Sequence, residues 1–393
     1  MRQTLLFKMI WFAALGMLVS SSFVHAQETV VQEESPKVEA PKSYEFSDEV
    51  RLDHTAVKSQ DNTGTCWSFA TASFIESELM RQGKGSHNLS EMFVVRNIYK
   101  NKAENYLLRQ GKANFSQGAL AHDFIGAAKR NGLVPDEAYS GLLAGESQHN
   151  HTEMEAVLTG VLESLVKQRA PSKQWKEVVD GILDVYLGAA PKTFSYQGQD
   201  FTPESFAKAV GFDANDYVSL TSYTHHPFGE SFVLEIPDNY SNGSFLNVPI
   251  DDLVTTIDEA LAAGYTVAWD GDVSERGFLR QQGLAVLPAD SNRNFARAPG
   301  EELQVSQEMR QETFETYSTT DDHLMHLVGS ARDQLGNKYY IIKNSWGNVG
   351  EHQGYLYMSE AFVRLKTVAI LVHQDVIKRK SPTEEKTETK SGQ

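Results

Sequence analysis

Cysteine is almost absent from this sequence, since Cys66 is the only one among 393 residues. A single cysteine cannot form a disulfide within the chain, so the fold must rest on its packed core alone. A lone cysteine is either a small buried apolar residue or a reactive group. The residues around Cys66 therefore decide between the two.

Positive charge is also scarce. The chain has 36 basic and 52 acidic residues and a formal net charge of −16. No basic stripe of the kind that binds phosphates appears before the C-terminal tail, so we expect no nucleic-acid partner. The histidine pairs His149/His151 and His225/His226 have no carboxylate or thiol at ligand spacing, so we predict no metal.

A long hydrophobic run is missing except at the N-terminus. Residues 9–19 are nearly all apolar, follow two basic residues and precede a small residue, Ala26. We predict a signal peptide over residues 1–26, cleaved after Ala26, and a periplasmic or secreted protein. The apolar run is shorter than the ~20 residues that span a bilayer, so we expect no stable membrane anchor.

Helical periodicity dominates the first part of the chain and strand-like runs dominate the rest. Helices are predicted over 65–81, from Ser90 past Tyr99, and over 119–129, 157–168, 175–186, 203–210 and 250–263. Strands are predicted over 232–236, 265–269, 324–330, 339–343 and 368–373, with a polar loop over 275–315. This order predicts an α+β fold whose helical half and antiparallel β half face each other across a cleft.

Composition predicts the domain boundaries. Residues 27–45 are polar and contain proline, which is typical of a flexible leader. Residues 378–393 are charged and of low complexity, and we predict a disordered tail. The domain itself is predicted over 46–377, with a helical insertion over about 140–215.

The segment QDNTGTCWSFA, which begins at Gln60, favours a reactive Cys66. Its TGT run predicts a turn, so that a helix begins at or beside Cys66 and its N-terminus favours the thiolate. The Cys66 backbone N–H and the Gln60 side-chain amide could both donate to an oxyanion. These features indicate a nucleophile rather than a buried apolar residue.

Two later segments supply a candidate base and a group to orient it. The run MHLVG predicts a strand that carries His326, and NSWG, which begins at Asn344, follows another strand. Asn344 could accept from the His326 imidazole, with Trp346 covering that contact. His323 has the opposite parity along the strand, so alternation assigns it a structural role.

In this order, Gln60 with the CWSFA run, the strand around His326 and the NSWG run resemble the three signature blocks of the papain superfamily of cysteine peptidases. The resemblance implies a catalytic set of Cys66, His326, Asn344 and Gln60, peptide or small protein substrates and no cofactor. Thr63 replaces a cysteine that forms a disulfide in papain relatives. The 260 residues from Cys66 to His326 exceed the roughly 130–150 of simple members, which implies a large insertion.

The inserted chain resembles the bleomycin hydrolase and aminopeptidase C branch. The matching runs are TTDDHLMH, YVSLT, HPFG and LNVPID, together with residues 118–135, which resemble the substrate-side helix of that branch. Gly118 is therefore a candidate substrate-binding residue, and a helix-entry turn explains it equally well. The resemblance is compatible with a homo-oligomer.

The tail leaves the mode of cleavage open. In the resembling branch, the carboxylate of an ordered C-terminal arm pairs with the amino group of the substrate. The charged tail of this chain differs from such an arm, although another acidic group could take its place. We expect an aminopeptidase, with an endopeptidase, a dipeptide-releasing peptidase and a catalytically silent peptide-binding protein as alternatives.

Overall fold

The computed structural model describes residues 43–290 and 292–378. The predicted signal peptide, most of the predicted leader and the tail beyond Lys378 lie outside the described residues. Across the described ranges, no helix combines the length and apolar character needed to cross a membrane.

Helices and strands of the described residues follow the predicted order. The helices are α1 Cys66–Arg81, α2 Glu91–Leu108, α3 Ala121–Asn131, α4 Thr152–Val166, α5 Trp175–Leu187, α6 Pro203–Val210, α7 Ile250–Ala262, α8 Gln307–Glu315, α9 Glu360–Lys366 and α10 Gln374–Lys378. The strands are β1 Phe46–Arg51, β2 Phe194–Tyr196, β3 Gln199–Phe201, β4 Tyr217–Thr221, β5 Ser231–Val233, β6 Ser244–Asn247, β7 Val267–Gly271, β8 Phe278–Leu279, β9 Leu284–Ala285, β10 His323–Asp333, β11 Lys338–Lys343, β12 Tyr355–Ser359 and β13 Thr367–His373.

The helical half is built around α1, which is buried on every side. Trp67, Phe74 and Leu79 of this helix share one core with side chains of α2 to α6. The neighbouring α2 begins where the Ser90 hydroxyl accepts the Phe93 amide hydrogen, a typical N-cap. Because α1 is enclosed, the position of its first residue, and of the cysteine there, is closely defined.

The β half is a sheet in which β10 lies between β7 and β11. The strand order is β5-β6-β4-β13-β7-β10-β11-β12-β9-β8, and β1 pairs with the second half of β10. Met325 and Leu327 of β10 belong to a core shared with α7 and α9. On the opposite face, His326 contacts α1, so β10 and α1 bring the two halves together.

The predicted α+β architecture is confirmed by this arrangement, with local corrections. The sheet is mixed, because β4–β6 and β9–β12 pair in parallel. The predicted insertion contains the β2–β3 hairpin besides its helices. The predicted loop over 275–315 contains α8, whose buried residues are Arg310 and Gln311. A helix that buries polar side chains has no apolar periodicity, which is why the sequence pattern did not reveal it.

Candidate active site

Cys66 is the first residue of α1 and is 8% exposed. Hydrogen bonds hold the turn before it, from the Gly64 N–H to Gln117 Oε1 and from the Thr63 hydroxyl to the Gln60 carbonyl. The backbone of Leu324 in β10 lies within hydrogen-bonding reach of the thiol. The nucleophile candidate therefore sits at a helix N-terminus, where the two halves of the molecule meet.

Asn344 pairs with His323. Its Oδ1 lies 2.8 Å from His323 Nε2 and 2.7 Å from the backbone nitrogen of Ser345. Because a backbone N–H only donates, the atom that it meets must be the amide oxygen, and His323 Nε2 must then carry a hydrogen. The neutral His323 ring therefore carries its hydrogen on Nε2, and its Nδ1 can accept a proton.

The prediction that Asn344 orients His326 is wrong. His326 Nδ1 lies 2.8 Å from the Ser73 hydroxyl, and its ring meets Phe74 edge-on. Ser73 lies two turns into α1, about 10 Å along the axis from Cys66 at 1.5 Å per residue. His326 thus faces the middle of the helix, whereas His323 lies beside Leu324, whose backbone reaches the thiol.

A β-bulge explains why Asn344 contacts His323 and not His326. Counting back from the β10–β11 turn, Arg332 pairs with Lys338 and Gly329 with Ile341. The register then shifts by one residue, so that His326 pairs with Lys343 instead of Asn344. Since side chains alternate between faces and paired residues share a face, this shift turns Asn344 away from His326 and toward the face of His323.

Trp346 covers the His323–Asn344 pair. Its indole ring stacks on the His323 imidazole, with 4.6 Å between ring centroids and 28° between planes. The guanidinium of Arg280 lies 4.7 Å from the centroid of the indole. The covering role predicted for Trp346 therefore applies to His323, and the ring shields the hydrogen bond from water.

Gln60 is tied to both halves of the site. Its side-chain NH₂ lies 2.6 Å from the Thr63 carbonyl oxygen, and its Oε1 accepts from the Ser345 hydroxyl at 2.6 Å. A second hydrogen on the same NH₂ group remains for an oxyanion. The oxyanion role of Gln60 stays a prediction.

Gly118 lies against a carboxylate of this chain. A Cβ at this position would lie 1.7 Å from Asp238 Oδ2, so only glycine fits here. The Gly118 carbonyl accepts a hydrogen bond from the Lys102 ammonium. Asp238 therefore occupies the place where a side chain at position 118 would lie, and the substrate-binding role of Gly118 stays a prediction.

Burial determines the charge states at the site. It raises the pKa of the Cys66 thiol to about 12 and lowers the pKa of His323 to about 4. The expected lowering of the thiol pKa by the helix N-terminus is thus outweighed. Loss of water disfavours a single charge on either group, whereas proton transfer from thiol to imidazole creates two opposite charges that attract each other. Burial therefore disfavours the thiolate of Cys66 and the imidazolium of His323 when either forms alone.

The structure brings Glu235 to His225 and His226, which sequence spacing did not suggest. Glu235 oxygens lie 3.2 Å from His225 Nε2 and 2.8 Å from His226 Nε2. The Gln311 amide donates to His225 Nδ1 at 3.0 Å, while its oxygen accepts from the Thr224 N–H. The neutral His225 ring therefore carries its hydrogen on Nε2. A metal ion in this cluster would need the lone pair of that nitrogen, so we interpret the cluster as hydrogen-bonded side chains.

Replacing Asn344 by alanine is expected to lower kcat/KM by about 10- to 100-fold, the effect of losing one hydrogen bond to a charged group. The hydrogen bond from His323 to Asn344 raises the pKa of His323 against the effect of burial. Its loss should lower that pKa further and move the acidic limb of the kcat/KM–pH profile to lower pH. A folded Asn344→Ala variant as inactive as Cys66→Ala would contradict this orienting role.

A cysteine at a helix N-terminus, together with a histidine on a central strand that an asparagine orients, defines the class of papain-like thiol peptidases. Residues 122–390 match the Peptidase C1-like family, and the chain belongs to this family. The predicted membership of the papain-like peptidases is confirmed.

Individual relatives agree with the predicted branch. Aminopeptidase G of Lactobacillus delbrueckii subsp. lactis is 26% identical over 377 residues, which cover 84% of this chain and 83% of the relative. Aminopeptidase C of Streptococcus thermophilus is 24% identical over 397 residues, covering 88% and 85%. The crystal structure of PepW from Lactobacillus rhamnosis HN001 has the same fold, with a TM-score of 0.65, 21% identity and 85% coverage of both chains. The resemblance to the aminopeptidase C branch is therefore confirmed.

Proposed function

We propose that this protein is a thiol-dependent aminopeptidase in which His323 serves as the base. The observation that carries the proposal is the His323–Asn344 hydrogen bond, 2.8 Å long and covered by Trp346, next to Cys66 at the start of α1. His323 Nδ1 removes the thiol proton as Cys66 Sγ attacks the substrate carbonyl carbon. The Cys66 N–H and the Gln60 amide stabilise the resulting oxyanion.

The second half of the reaction uses the same groups in reverse. The His323 imidazolium gives its proton to the leaving amine, the C–N bond breaks and a thioester to Cys66 remains. His323 then accepts a proton from water, which attacks the thioester and releases the carboxylic acid. The thiol recovers its proton, so no cofactor takes part in the cycle.

Two features support restriction to the first residue of a peptide. The relatives above are named aminopeptidases. In the cleft, the Asp238 carboxylate lies against the Cα atom of Gly118, and the Lys102 ammonium donates to the Gly118 carbonyl. An extended substrate is thereby denied backbone pairing at this position, which disfavours a chain that continues past the cleaved residue.

The substrate amine gives the sharpest test of this restriction. A free-amine aminoacyl anilide should be hydrolysed at least about 100-fold faster than its N-acetylated twin, because an aminopeptidase binds the charged amine of its substrate and acetylation removes that charge. Release of the aniline measures both rates under identical conditions. Equal rates for the two substrates would rule out an aminopeptidase and favour an endopeptidase.

Export is part of the proposal and rests on the N-terminal sequence alone. Two basic residues, an apolar run and a small residue at Ala26 are typical of a cleaved signal peptide. We place the mature protein in the periplasm or the medium, with peptides as substrates. An intact mass that still includes residues 1–26 in the exported fraction would contradict the cleavage. The homo-oligomer stays a prediction.

A further inference from the structure

An aminopeptidase must hold the α-amine of its substrate very close to the nucleophile. In any residue, the amine nitrogen is only two bonds from the carbonyl carbon, or about 2.5 Å away by standard bond lengths and angles. The groups that bind the ammonium must therefore lie beside the cysteine. Carboxylates in remote parts of the molecule are excluded by this geometry.

Two buried carboxyl groups meet this condition. Asp270 lies on β7, paired with Leu324, whose backbone reaches the Cys66 thiol. Asp321 lies two residues before His323 and contacts Asp270. The negative charges of both groups raise the pKa of the Cys66 thiol, because they lie close enough to disfavour the thiolate.

Three of the four oxygen atoms of this pair are buried and have no hydrogen-bond donor from any other described residue. Asp270 is 4% exposed, and neither of its oxygens has a hydrogen-bond donor among the described residues. The Oδ2 atom of Asp321 is likewise buried without a donor. Burial raises the pKa of Asp321 to about 7 and holds that of Asp270 well above its usual range. Buried oxygens without donors are costly, and an ammonium group supplies three N–H donors together with a positive charge.

Asp321 opens onto a cavity of about 620 Å³ that Asp238 also lines. The Oδ1 atom of Asp238 accepts from Asn114 at 3.0 Å and from Ser116 at 3.3 Å, and Oδ2 rests against Gly118. These contacts fix the Asp238 carboxylate in the lining of the cavity that Asp321 also lines. The charge of Asp238 raises the pKa of both Asp270 and Asp321, so the three groups share one electrostatic site.

We propose that Asp270 and Asp321 bind the N-terminal ammonium of the peptide substrate, while Asp238 closes the site beyond it. The inference rests on the aminopeptidase function proposed above and names the groups that would enforce it. The anchor belongs to the body of the domain, at the junction of β7 and β10, and so does not require the C-terminal carboxylate of the chain.

Asparagine variants test the anchor with the twin substrates. Asp321→Asn should lower kcat/KM for the free-amine anilide by about 10- to 100-fold, mainly through KM, because asparagine keeps the shape but cannot ionise to pair with the ammonium. Hydrolysis of the N-acetylated twin should change by less than about threefold. Asp270→Asn should act in the same direction, since its carboxyl group lies in the same pair.

Glu315→Gln is the matched control. Glu315 also lines the cavity, but it is exposed and accepts from the Gln311 amide. Its variant should keep the wild-type ratio between the two substrates. Unchanged hydrolysis of the N-acetylated twin shows that the Asp321→Asn site is intact, and the melting temperature checks the fold of either aspartate variant independently.

The outcomes separate the two proposals. Equal cleavage of the twins by wild-type protein overturns the aminopeptidase function itself. A wild-type preference for the free amine that survives in both aspartate variants overturns only the anchor. A short Gly-Ser extension at the C-terminus displaces the terminal carboxylate while the chain stays whole. If this extension abolishes the preference, the C-terminus is the anchor and the proposal fails.

Discussion

His323→Ala is expected to lower kcat/KM by about 10³- to 10⁴-fold, the contribution of a positioned general base at the upper end of its range. The reason is the tautomer: His323 carries a hydrogen on Nε2, held by Asn344 at 2.8 Å, and so Nδ1 is the nitrogen that can accept the thiol proton. No other described histidine ring is hydrogen-bonded to Asn344. Steady-state hydrolysis of the free-amine anilide measures the loss.

His326→Gln is the control that separates the role of His323 from that of the other β10 histidine. Glutamine keeps a polar partner for the Ser73 hydroxyl, which His326 contacts at 2.8 Å. Because His326 is buried, the substitution should lower the melting temperature, whereas kcat/KM per folded molecule should fall by less than about tenfold. A His326 variant that loses activity to the same degree as His323→Ala would restore the assignment made from strand parity.

Cys66→Ala is expected to reduce turnover by about 10⁶-fold, to the level left when a catalytic nucleophile is removed. Since Cys66 is the only cysteine of the chain, no other thiol can take over. The change removes one sulfur atom at the start of α1 and leaves the core of that helix, including Trp67 and Phe74, untouched. The melting temperature should therefore stay within a few degrees of the wild type.

Hydrolysis of the anilide and thermal unfolding of the same preparation check this prediction together. A correctly folded Cys66→Ala protein that keeps more than about 1% of wild-type turnover would contradict a thiol mechanism. A variant that fails to fold would show that the Cys66 side chain is also needed for the structure. Cys66→Ser, which keeps a polar atom of similar size, then gives the turnover comparison.

Local sequence was sufficient for one half of the site. The turn before Cys66 and the apolar residues after it predict a buried helix that starts at the cysteine, and α1 begins there. Asn344 and Trp346 follow directly on a strand, β11, as predicted. Each of these features depends on residues that are neighbours in the chain, where turn chemistry and periodicity act.

The choice of histidine depended on a non-local feature. Without the bulge between Leu327 and Gly329, the register of the β10–β11 hairpin would set Asn344 opposite His326. One extra residue moves every later side chain of the strand to the other face. Gly329 lies at this bulge, where a Cβ would meet the Val50 carbonyl oxygen at 2.2 Å, so β1 approaches the strand closely there. The glycine was visible in the sequence, but its close neighbour was not.

The carboxylates around the cleft were also hidden from the sequence. Asp238, Asp270 and Asp321 come from a loop, from β7 and from the residues before β10. Asp238 can lie against Gly118 because that residue has no side chain, and Asp270 lies near Asp321 because β7 pairs with β10. Contacts between segments so far apart in the chain follow from topology, and no local sequence pattern predicts them.

The central claim, that His323 rather than His326 activates Cys66, is tested most directly by the rate at which iodoacetamide alkylates Cys66 at neutral pH. The reagent is uncharged and the chain has one cysteine, so the mass shift reports a single site without any turnover. Burial raises the pKa of the Cys66 thiol to about 12, so little thiolate forms unless the imidazole takes up the proton. We expect His323→Ala to slow alkylation by at least about 100-fold and His326→Gln to leave it near the wild-type rate. Slow alkylation of the His326 variant together with a wild-type rate for His323→Ala would contradict the account.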